Sequence, residues 1–269
     1  MVRELLKNAA LCLTNSDTPT LDARVLLANA MGVKNAAMIF NMPNEEQVKA
    51  FEEYITRRQR GEPVAYILGE KEFMGLTFKL NSDTLIPRPD TECLVEKVIE
   101  LNRICAPKII DLCTGSGCIG ISLAKMIEKS TLDLTDISEG ALQMAKLNAN
   151  ELLASDSTKV YSLDILNEEI NGKYDIITAN PPYIEREIAK NLPVSEYEPM
   201  RALDGGEDGL TFYKVISKKA FSALNKGGML ALEIGYDQKE KVCSLLTDFS
   251  EVSAFKDYGG NDRVIISIK

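Results

Sequence analysis

The segment Asn180-Pro181-Pro182-Tyr183 brings an amide, two prolines and an aromatic ring to the end of an apolar stretch, residues 174–179, that is typical of a buried strand. Two consecutive prolines remove two backbone N–H donors and favour extended backbone, so the loop presents carbonyl acceptors beside an aromatic face. Open α/β sheets bind ligands at the carboxyl ends of their strands. The loop therefore suits a substrate that brings its own N–H donors, although Asn-Pro also opens ordinary turns.

A glycine-rich segment follows another apolar stretch, residues 108–112, and precedes a helical pattern. Its glycines let the backbone approach a ligand closely and leave the amino terminus of the next helix open. With Gly120 it matches the G-x-G-x-x-G pattern, which is weak by itself and keeps a nicotinamide cofactor open. The candidate ligand-binding residues of this segment are Cys113, Thr114, Gly115, Ser116 and Gly117.

Three aspartates, Asp111, Asp136 and Asp164, end three successive predicted strands. A carboxylate at Asp111 suits the ammonium group of an amino-acid moiety better than a pyrophosphate. Asp136 lies where a ribose diol would bind, and Asp164 can accept a hydrogen bond from an adenine amino group while Ile165 covers the ring. Each aspartate alone is typical of a loop or cap, but the three together beside the glycine turn predict a binding site. S-adenosylmethionine, which has the cation that suits Asp111 and no phosphate, is the predicted cofactor.

The composition of the 269 residues, 45% apolar and 26% charged, is that of an ordinary globular protein, and we expect it in the cytoplasm. The net charge of −9 disfavours a nucleic-acid partner with a large footprint, because phosphate binding needs a basic face. The chain contains no histidine, which excludes imidazole catalysis, and its six cysteines are scattered. We expect no metal site.

The elements that must position these residues follow from hydrophobic periodicity. Residues 1–60 predict a small all-α domain of three or four helices, and residues 61–85 a β-hairpin linker that includes a β-like piece at 64–67. In residues 86–269 strands alternate with helices, which predicts an α/β, Rossmann-like, doubly wound and mostly parallel sheet. The predicted strands are 108–112, 132–135, 160–163, 174–179, 229–234 and 263–268. The predicted helices are one that contains Leu94, Val95, Val98 and Ile99, followed by 117–128, 139–152, 210–224 and 237–246.

Further motifs accompany the tetrapeptide and the glycine loop. They are Leu21–Leu27, Gly61–Gly69, Ile86–Glu92, Glu198-Pro199, Ala202-Leu203, Gly209-Leu210 and Gly260–Arg263. In this combination the chain resembles, over nearly its full length, the class I S-adenosylmethionine-dependent methyltransferases. Within that class it resembles the peptide chain release factor glutamine methyltransferases of the HemK type.

The resemblance implies methyl transfer from S-adenosylmethionine to the N5 nitrogen of a glutamine in a peptide chain release factor. It implies that residues 113–117, Asp136, Ile165 and Asn180 contact the cofactor and that residues 180–183 hold the substrate glutamine. It also implies that the helical domain docks the release factor. One departure is Cys113, where the family often has glycine. We expect a monomer without direct nucleic-acid or membrane binding.

An amide nitrogen is a poor nucleophile because its lone pair is delocalised into the carbonyl. We hypothesise that the Asn180 side-chain oxygen and the Pro181 carbonyl accept both amide hydrogens and orient the nitrogen toward the sulfonium methyl group. Tyr183 then packs against the amide plane, which makes Asn180, Pro181 and Tyr183 the predicted catalytic residues. The gain is largely positional, and such orientation can contribute about 7–11 kcal/mol. No strong base is required.

Three alternatives remain open at this level. The same loop chemistry serves exocyclic amino groups of nucleic-acid bases, the glycine loop serves nicotinamide enzymes, and a non-catalytic cofactor-binding module would not need Asn180.

Arg88 and Glu92 either order the active-site wall or only begin a helix. The acidic loop Asp204–Asp208 is either a cover of the site or a solvated loop.

Overall fold

The computed structural model describes residues 2–33, 37, 39, 41–153 and 158–269. The chain divides into two compact units, Met1–Glu70 and Lys71–Lys269. The division falls ten residues beyond the predicted end of the helical domain at residue 60, because residues 61–70 pack within the first unit. Among the described residues, no helix is long and apolar enough to cross a membrane.

The first unit is helical where it is described. Its helices are α1 (Val2–Cys12), α2 (Pro19–Ala30), α3 (Glu45–Gln59) and α4 (Val64–Leu68). Helix α3 begins with a capping box, in which Asn44 accepts from the Gln47 amide and the Gln47 side chain accepts from the Asn44 amide. Leu26, Leu27 and Phe51 are almost fully buried in its core. The predicted small all-α region is thus present.

Helix α4 corrects the prediction of a β-like piece at 64–67. Pro63 occupies the N-cap position, Gly69 ends the helix with a φ of 71°, and Ile67 is buried in the core of the unit. Four apolar residues in a row do not distinguish a strand from a single helical turn. The turn is selected by the flanking proline and glycine and by the place of Ile67 in the core.

The remaining elements begin with a two-stranded hairpin, β1 (Glu70–Phe73) and β2 (Leu76–Lys79). After it, the strands are β3 (Lys108–Leu112), β4 (Thr131–Asp136), β5 (Thr158–Ser162), β6 (Tyr174–Ala179), β7 (Leu224–Glu233), β8 (Glu251–Lys256) and β9 (Asp262–Ile268). The helices are α5 (Pro89–Leu101), α6 (Cys118–Met126), α7 (Glu139–Leu152), α8 (Arg186–Ala189), α9 (Thr211–Ala223) and α10 (Lys239–Cys243). Short 3-10 helices span Pro193–Glu196 and Met200–Ala202.

Strands β3 to β9 form one sheet in the described part of the chain, in the order β5-β4-β3-β6-β7-β9-β8. All neighbours are parallel except β9, which is antiparallel to both β7 and β8. The predicted Rossmann-like α/β fold is confirmed. Strand β8 was not predicted, because its first three residues are exposed and it lacks the apolar run that marks the inner strands.

Hydrophobic cores cover both faces of this sheet. Adjacent residues of a strand point to opposite faces, so Ile110 and Ile177 join one core while Ile109 and Ile176 join the other. All four are fully buried. Burial on both faces explains why the inner strands read as continuous apolar runs, and it leaves the carboxyl edge of the sheet as the place where polar side chains gather.

Candidate active site

A cavity of about 320 Å³ lies at the carboxyl ends of β3, β4, β5 and β6. Its size is in the ordinary range for small-molecule sites. The predicted site residues that line it are Cys113, Thr114, Gly115, Ser116, Asp136, Asp164, Ile165, Asn180 and Pro182. Four other predicted residues, Asp111, Gly117, Pro181 and Tyr183, are close in sequence but are not part of the lining.

The glycine loop between β3 and α6 is held in a left-handed conformation. Cys113, Gly115 and Gly117 have φ values of 54°, 55° and 84°, a region that costs a side chain about 1–2 kcal/mol and costs glycine little. The departure from glycine at Cys113 is therefore a strained position. The Thr114 amide donates to the Thr135 carbonyl at 2.9 Å, which ties the loop to β4.

Asp111 lies beneath this loop and is fully buried. Its Oδ2 accepts from Thr114 Oγ1 at 2.5 Å and from the Gly120 amide at 3.2 Å, and its Oδ1 accepts from Thr178 Oγ1 at 2.6 Å. Burial raises the pKa of Asp111 to about 6, although the three hydrogen bonds oppose the shift. In this arrangement Asp111 fastens the loop and α6 to the sheet. The sequence had suggested that this carboxylate faces a ligand, but Asp111 is not part of the cavity lining.

Asp136 does reach the cavity. Its Oδ2 accepts from the Gly115 amide and its Oδ1 from the Ser138 amide, both at 2.9 Å. Burial raises the pKa of Asp136, and the backbone hydrogen bonds from Ser138 and Gly115 oppose that rise. The carboxylate is thus oriented by two backbone donors, and it keeps lone pairs that can accept from a diol.

Asp164 is turned toward its own loop. Its Oδ1 accepts from the Leu166 amide at 3.0 Å and its Oδ2 from Asn167 Nδ2 at 2.8 Å. The hydrogen bond from Asn167 is the main cause of the lowered pKa of Asp164. Ile165 beside it is buried and offers an apolar surface to the cavity.

The Asn180–Tyr183 loop leaves the end of β6 and brings Asn180 and Pro182 into the cavity wall. Tyr183 is half-buried against the core, and its hydroxyl donates to Glu233 Oε1 at 3.3 Å. Gln238 Nε2 donates to the Tyr183 carbonyl at 2.9 Å. The loop is therefore held at its backbone and at its aromatic end.

Two family models match this chain, the PrmC N-terminal domain over residues 4–69 and the methyltransferase small domain over residues 89–196. A release factor glutamine methyltransferase of Clostridium acetobutylicum is 39% identical, over 95% of this chain and 93% of that relative. The chain belongs to the release factor glutamine methyltransferase family. Another member of the family, from Clostridium botulinum, is 40% identical over 91% of this chain and 90% of its own.

The family prediction from the sequence is thereby confirmed. A solved methyltransferase from Pyrococcus furiosus superposes with a TM-score of 0.53 at 18% identity, over 81% of this chain and 97% of that one. An identity this low shows the fold alone. The chain therefore shares the fold of that methyltransferase.

In this member of the release factor glutamine methyltransferase family, the cavity wall also contains a partly buried ion pair between Arg88 and Glu198, a pairing that the sequence did not reveal. Arg88 lines the cavity, and its Nη2 lies 2.5 Å from Glu198 Oε2. The Glu198 side chain is only 1% exposed, and its Oε1 accepts from the Ile86 amide at 3.2 Å. Burial raises the pKa of Glu198, and the Arg88 charge opposes the rise.

The segment after Glu198 contributes Met200, Arg201, Ala202 and Asp204 to the cavity lining. The acidic loop thus borders the cavity through Asp204, while Asp208 pairs with Lys214 in an exposed position. The motif Glu198-Pro199 was the available signal for this wall, but a motif does not reveal that its carboxylate pairs with Arg88, 110 residues away in the chain.

Proposed function

We propose that this chain transfers a methyl group from S-adenosylmethionine to the side-chain amide nitrogen, N5, of a glutamine in peptide chain release factors. The observation that carries the proposal is that Asn180 and Pro182 line the same cavity as the glycine loop and Asp136. An amide side chain that can accept hydrogen bonds and a loop suited to a nucleoside therefore border one cavity. The activity named for the relatives, release factor glutamine methylation, supports the same reading.

The cavity residues fit S-adenosylmethionine, which supplies the methyl group from its sulfonium centre. Asp136 is oriented to accept from a ribose diol, and Ile165 offers an apolar surface to a planar base. Ser116 Oγ is buried at the cavity wall without a hydrogen bond of normal geometry to the described residues, which suits a polar ligand group. The exposed backbone of residues 113–117 allows close approach of an amino-acid moiety. We assign cofactor binding to residues 113–117, Asp136, Asp164, Ile165 and Asn180, with Asp111 as their support.

The Asn180–Tyr183 loop binds the glutamine that accepts the methyl group. The Asn180 side-chain oxygen and the Pro181 carbonyl accept the two amide hydrogens of the substrate glutamine and fix its nitrogen in place. Pro182 excludes water on the cavity side. Tyr183 packs against the amide plane. The nitrogen becomes acidic as it gains the methyl group and gives its proton to water, so the absence of histidine from the sequence is no obstacle.

The partner in this proposal is the release factor alone. Residues 1–60 dock this protein substrate, residues 61–85 link the domains, and residues 86–269 bind the cofactor and carry out the transfer. The enzyme acts as a cytoplasmic monomer without direct binding to nucleic acid or membrane. The net charge of −9 supports the part of this proposal that concerns nucleic acid, because phosphate binding requires a basic face.

The experiment that tests the proposed function replaces Asn180 with alanine. We expect kcat on a release factor to fall by at least about a hundredfold, since positioning of the amide is lost, while the Kd of S-adenosylmethionine changes by less than about fivefold. Asn191→Ala, in an exposed position outside the cavity lining, is the matched control. Turnover of Asn180→Ala near that of the unchanged enzyme, with unchanged cofactor affinity, would contradict the proposal.

A further inference from the structure

Glu233 is a carboxyl group inside the sheet. It is the last residue of β7, follows a run of buried apolar residues and is 2% exposed. Strands β6 and β7 are parallel, with Ala179 paired to Leu232, so Glu233 lies beside the start of the Asn180–Tyr183 loop. The methyl transfer proposed for the Asn180–Tyr183 loop assigns no role to Glu233.

Its contacts point to the substrate loop. Oε1 of Glu233 accepts from the Tyr183 hydroxyl at 3.3 Å. Oε2 is buried and makes no hydrogen bond of normal geometry within the described residues, and the same is true of Thr91 Oγ1, which belongs to a cavity-lining residue. The backbone of Glu233 is fixed, since its carbonyl accepts from the Tyr213 hydroxyl at 2.8 Å.

A buried carboxyl lowers the stability of a fold when its hydrogen bonds do not fully offset its desolvation. Burial raises the pKa of Glu233 for the same reason, against the effects of the Thr91 hydroxyl and of Arg263. The Glu233 carboxyl is thus held between the Thr91 and Tyr183 hydroxyls. What it provides is a fixed acceptor for the Tyr183 hydroxyl.

The backbone and the ring of Tyr183 are held by different residues. Gln238 Nε2 donates to the Tyr183 carbonyl at 2.9 Å and to the Gly209 carbonyl at 3.3 Å, which fixes the main chain. The far end of the ring is held through its hydroxyl by Glu233. With the main chain fixed, the hydroxyl contact sets the direction in which the ring extends from the backbone.

We propose that Glu233 is a positioning residue for methyl transfer, which acts by holding the Tyr183 ring in the place where the substrate amide packs against it. The inference rests on the proposed function for the identity of that amide. It assigns no proton transfer to Glu233. Its requirement is an acceptor at Oε1, so a glutamine at this position meets it, with its amide nitrogen placed toward the Thr91 hydroxyl.

The test is a double-mutant cycle of Glu233→Leu and Tyr183→Phe, with Glu233→Gln as the conservative variant. We expect each single change to lower kcat on a release factor by about tenfold, as for the loss of one hydrogen bond, and the double change to lower it no further. Glu233→Gln retains turnover within about threefold, because its oxygen still accepts the hydroxyl. The Kd of S-adenosylmethionine stays within about twofold in all variants, since the contact lies on the acceptor side.

A matched control pair exists on the surface. The hydroxyl of Tyr258 donates to Glu96 at 2.7 and 2.6 Å, and both residues lie outside the cavity lining. Tyr258→Phe and Glu96→Leu are expected to leave kcat unchanged. A loss of turnover in Glu233→Gln equal to that in Glu233→Leu, additive losses in the cycle, or a parallel loss of cofactor affinity would overturn the positioning role.

The same proteins also report on the contact without a substrate. Thermal unfolding of the four proteins of the cycle is expected to be non-additive, because Tyr183 and Glu233 interact directly. Additive effects on stability would overturn the inference even if a release factor is not methylated. Conversely, failure of the unchanged enzyme to methylate release factors would contradict the proposed function alone. The stability cycle would still show whether Glu233 and Tyr183 interact. If Glu233→Leu does not fold, Tyr183→Phe and Glu233→Gln decide it through turnover.

Discussion

Single side chains at the carboxyl edge of the sheet divide into those that face the cavity and those that hold them in place. Asp136 and Asn180 face the cavity, whereas Asp111 is fully buried and supports the loop from below. Both kinds are polar residues at strand ends. Which way such a carboxylate points depends on donors far away in sequence, here Thr178 for Asp111. Sequence reasoning therefore located the aspartates but could not assign Asp111 its supporting role.

Asp111 makes stability depend on pH in a defined window. Its pKa is raised from 3.8 to about 6 in the folded protein, so between about pH 4 and pH 6 the folded state holds a proton that the unfolded state has lost. This contribution to stability is present below about pH 4 and is lost as the pH rises to about 6. Its size is up to about 3 kcal/mol.

The substitution Asp111→Asn is expected to remove that dependence. Its oxygen can accept from Thr114 and Gly120, and the Thr178 hydroxyl can turn to accept from its amide. The free energy of unfolding should be measured with urea from pH 4 to pH 7. That of the unchanged protein is expected to fall relative to that of Asp111→Asn as the pH rises from about 4 to about 6. Asp164→Asn is the control, since the pKa of Asp164 is lowered and its effect has the opposite sign at lower pH. Parallel stability curves for Asp111→Asn and the unchanged protein would refute the assignment.

The elements around the site differ in how well sequence patterns predict them. The bounds of β3 and β6 agree with the prediction, because a strand buried on both faces is a continuous apolar run between turn residues. The sequence offered Arg88 as a possible wall residue, but its pairing with Glu198 could not be predicted, since the pairing of two loops depends on tertiary contacts. Helix α4 and strand β8 were missed because short or exposed elements lack a distinctive period.

The packing of α6 against the sheet depends on Gly120. A Cβ atom at this position would lie 2.6 Å from Leu134 Cδ2 and 2.9 Å from Asp111 Cβ. We expect Gly120→Ala to lower the free energy of unfolding by about 2 kcal/mol, as overpacking does, and to weaken cofactor binding through the displaced loop. Urea unfolding measures the first effect and calorimetry the second. Gly259→Ala, whose new Cβ meets only side-chain atoms at 3.2 Å, is the milder control.

The wall segment is anchored by Glu198. Glu198→Ala leaves the Ile86 amide and the Arg88 guanidinium without their carboxylate, so we expect a loss of about 2 kcal/mol in the free energy of unfolding. Amide hydrogen exchange in residues 193–204 should become faster. Glu196→Ala, at the exposed end of the 3-10 helix Pro193–Glu196, should stay within about 0.5 kcal/mol of the unchanged protein. Equal effects of the two substitutions would show that Glu198 is no anchor.

At the scale of the whole molecule, the two compact units are expected to serve different steps. Every residue that lines the cavity lies between Asp83 and Phe212, within the second unit. A truncated chain that begins at Glu70 should therefore still show a rise in melting temperature with S-adenosylmethionine, since a ligand that binds the folded state stabilises it. It should lose methyl transfer to release factors, because we assign docking to the helical region. Full activity of the truncated chain would contradict that assignment.

The central claim is that glutamine in a release factor receives the methyl group. Its most direct test is transfer of a tritiated methyl group from S-adenosylmethionine to a purified peptide chain release factor, beside the same factor with its acceptor glutamine changed to asparagine, with tRNA and duplex DNA as competing acceptors. The account predicts label on the unchanged factor alone. Label on nucleic acid, or equal label on the factor that lacks the glutamine, would contradict it.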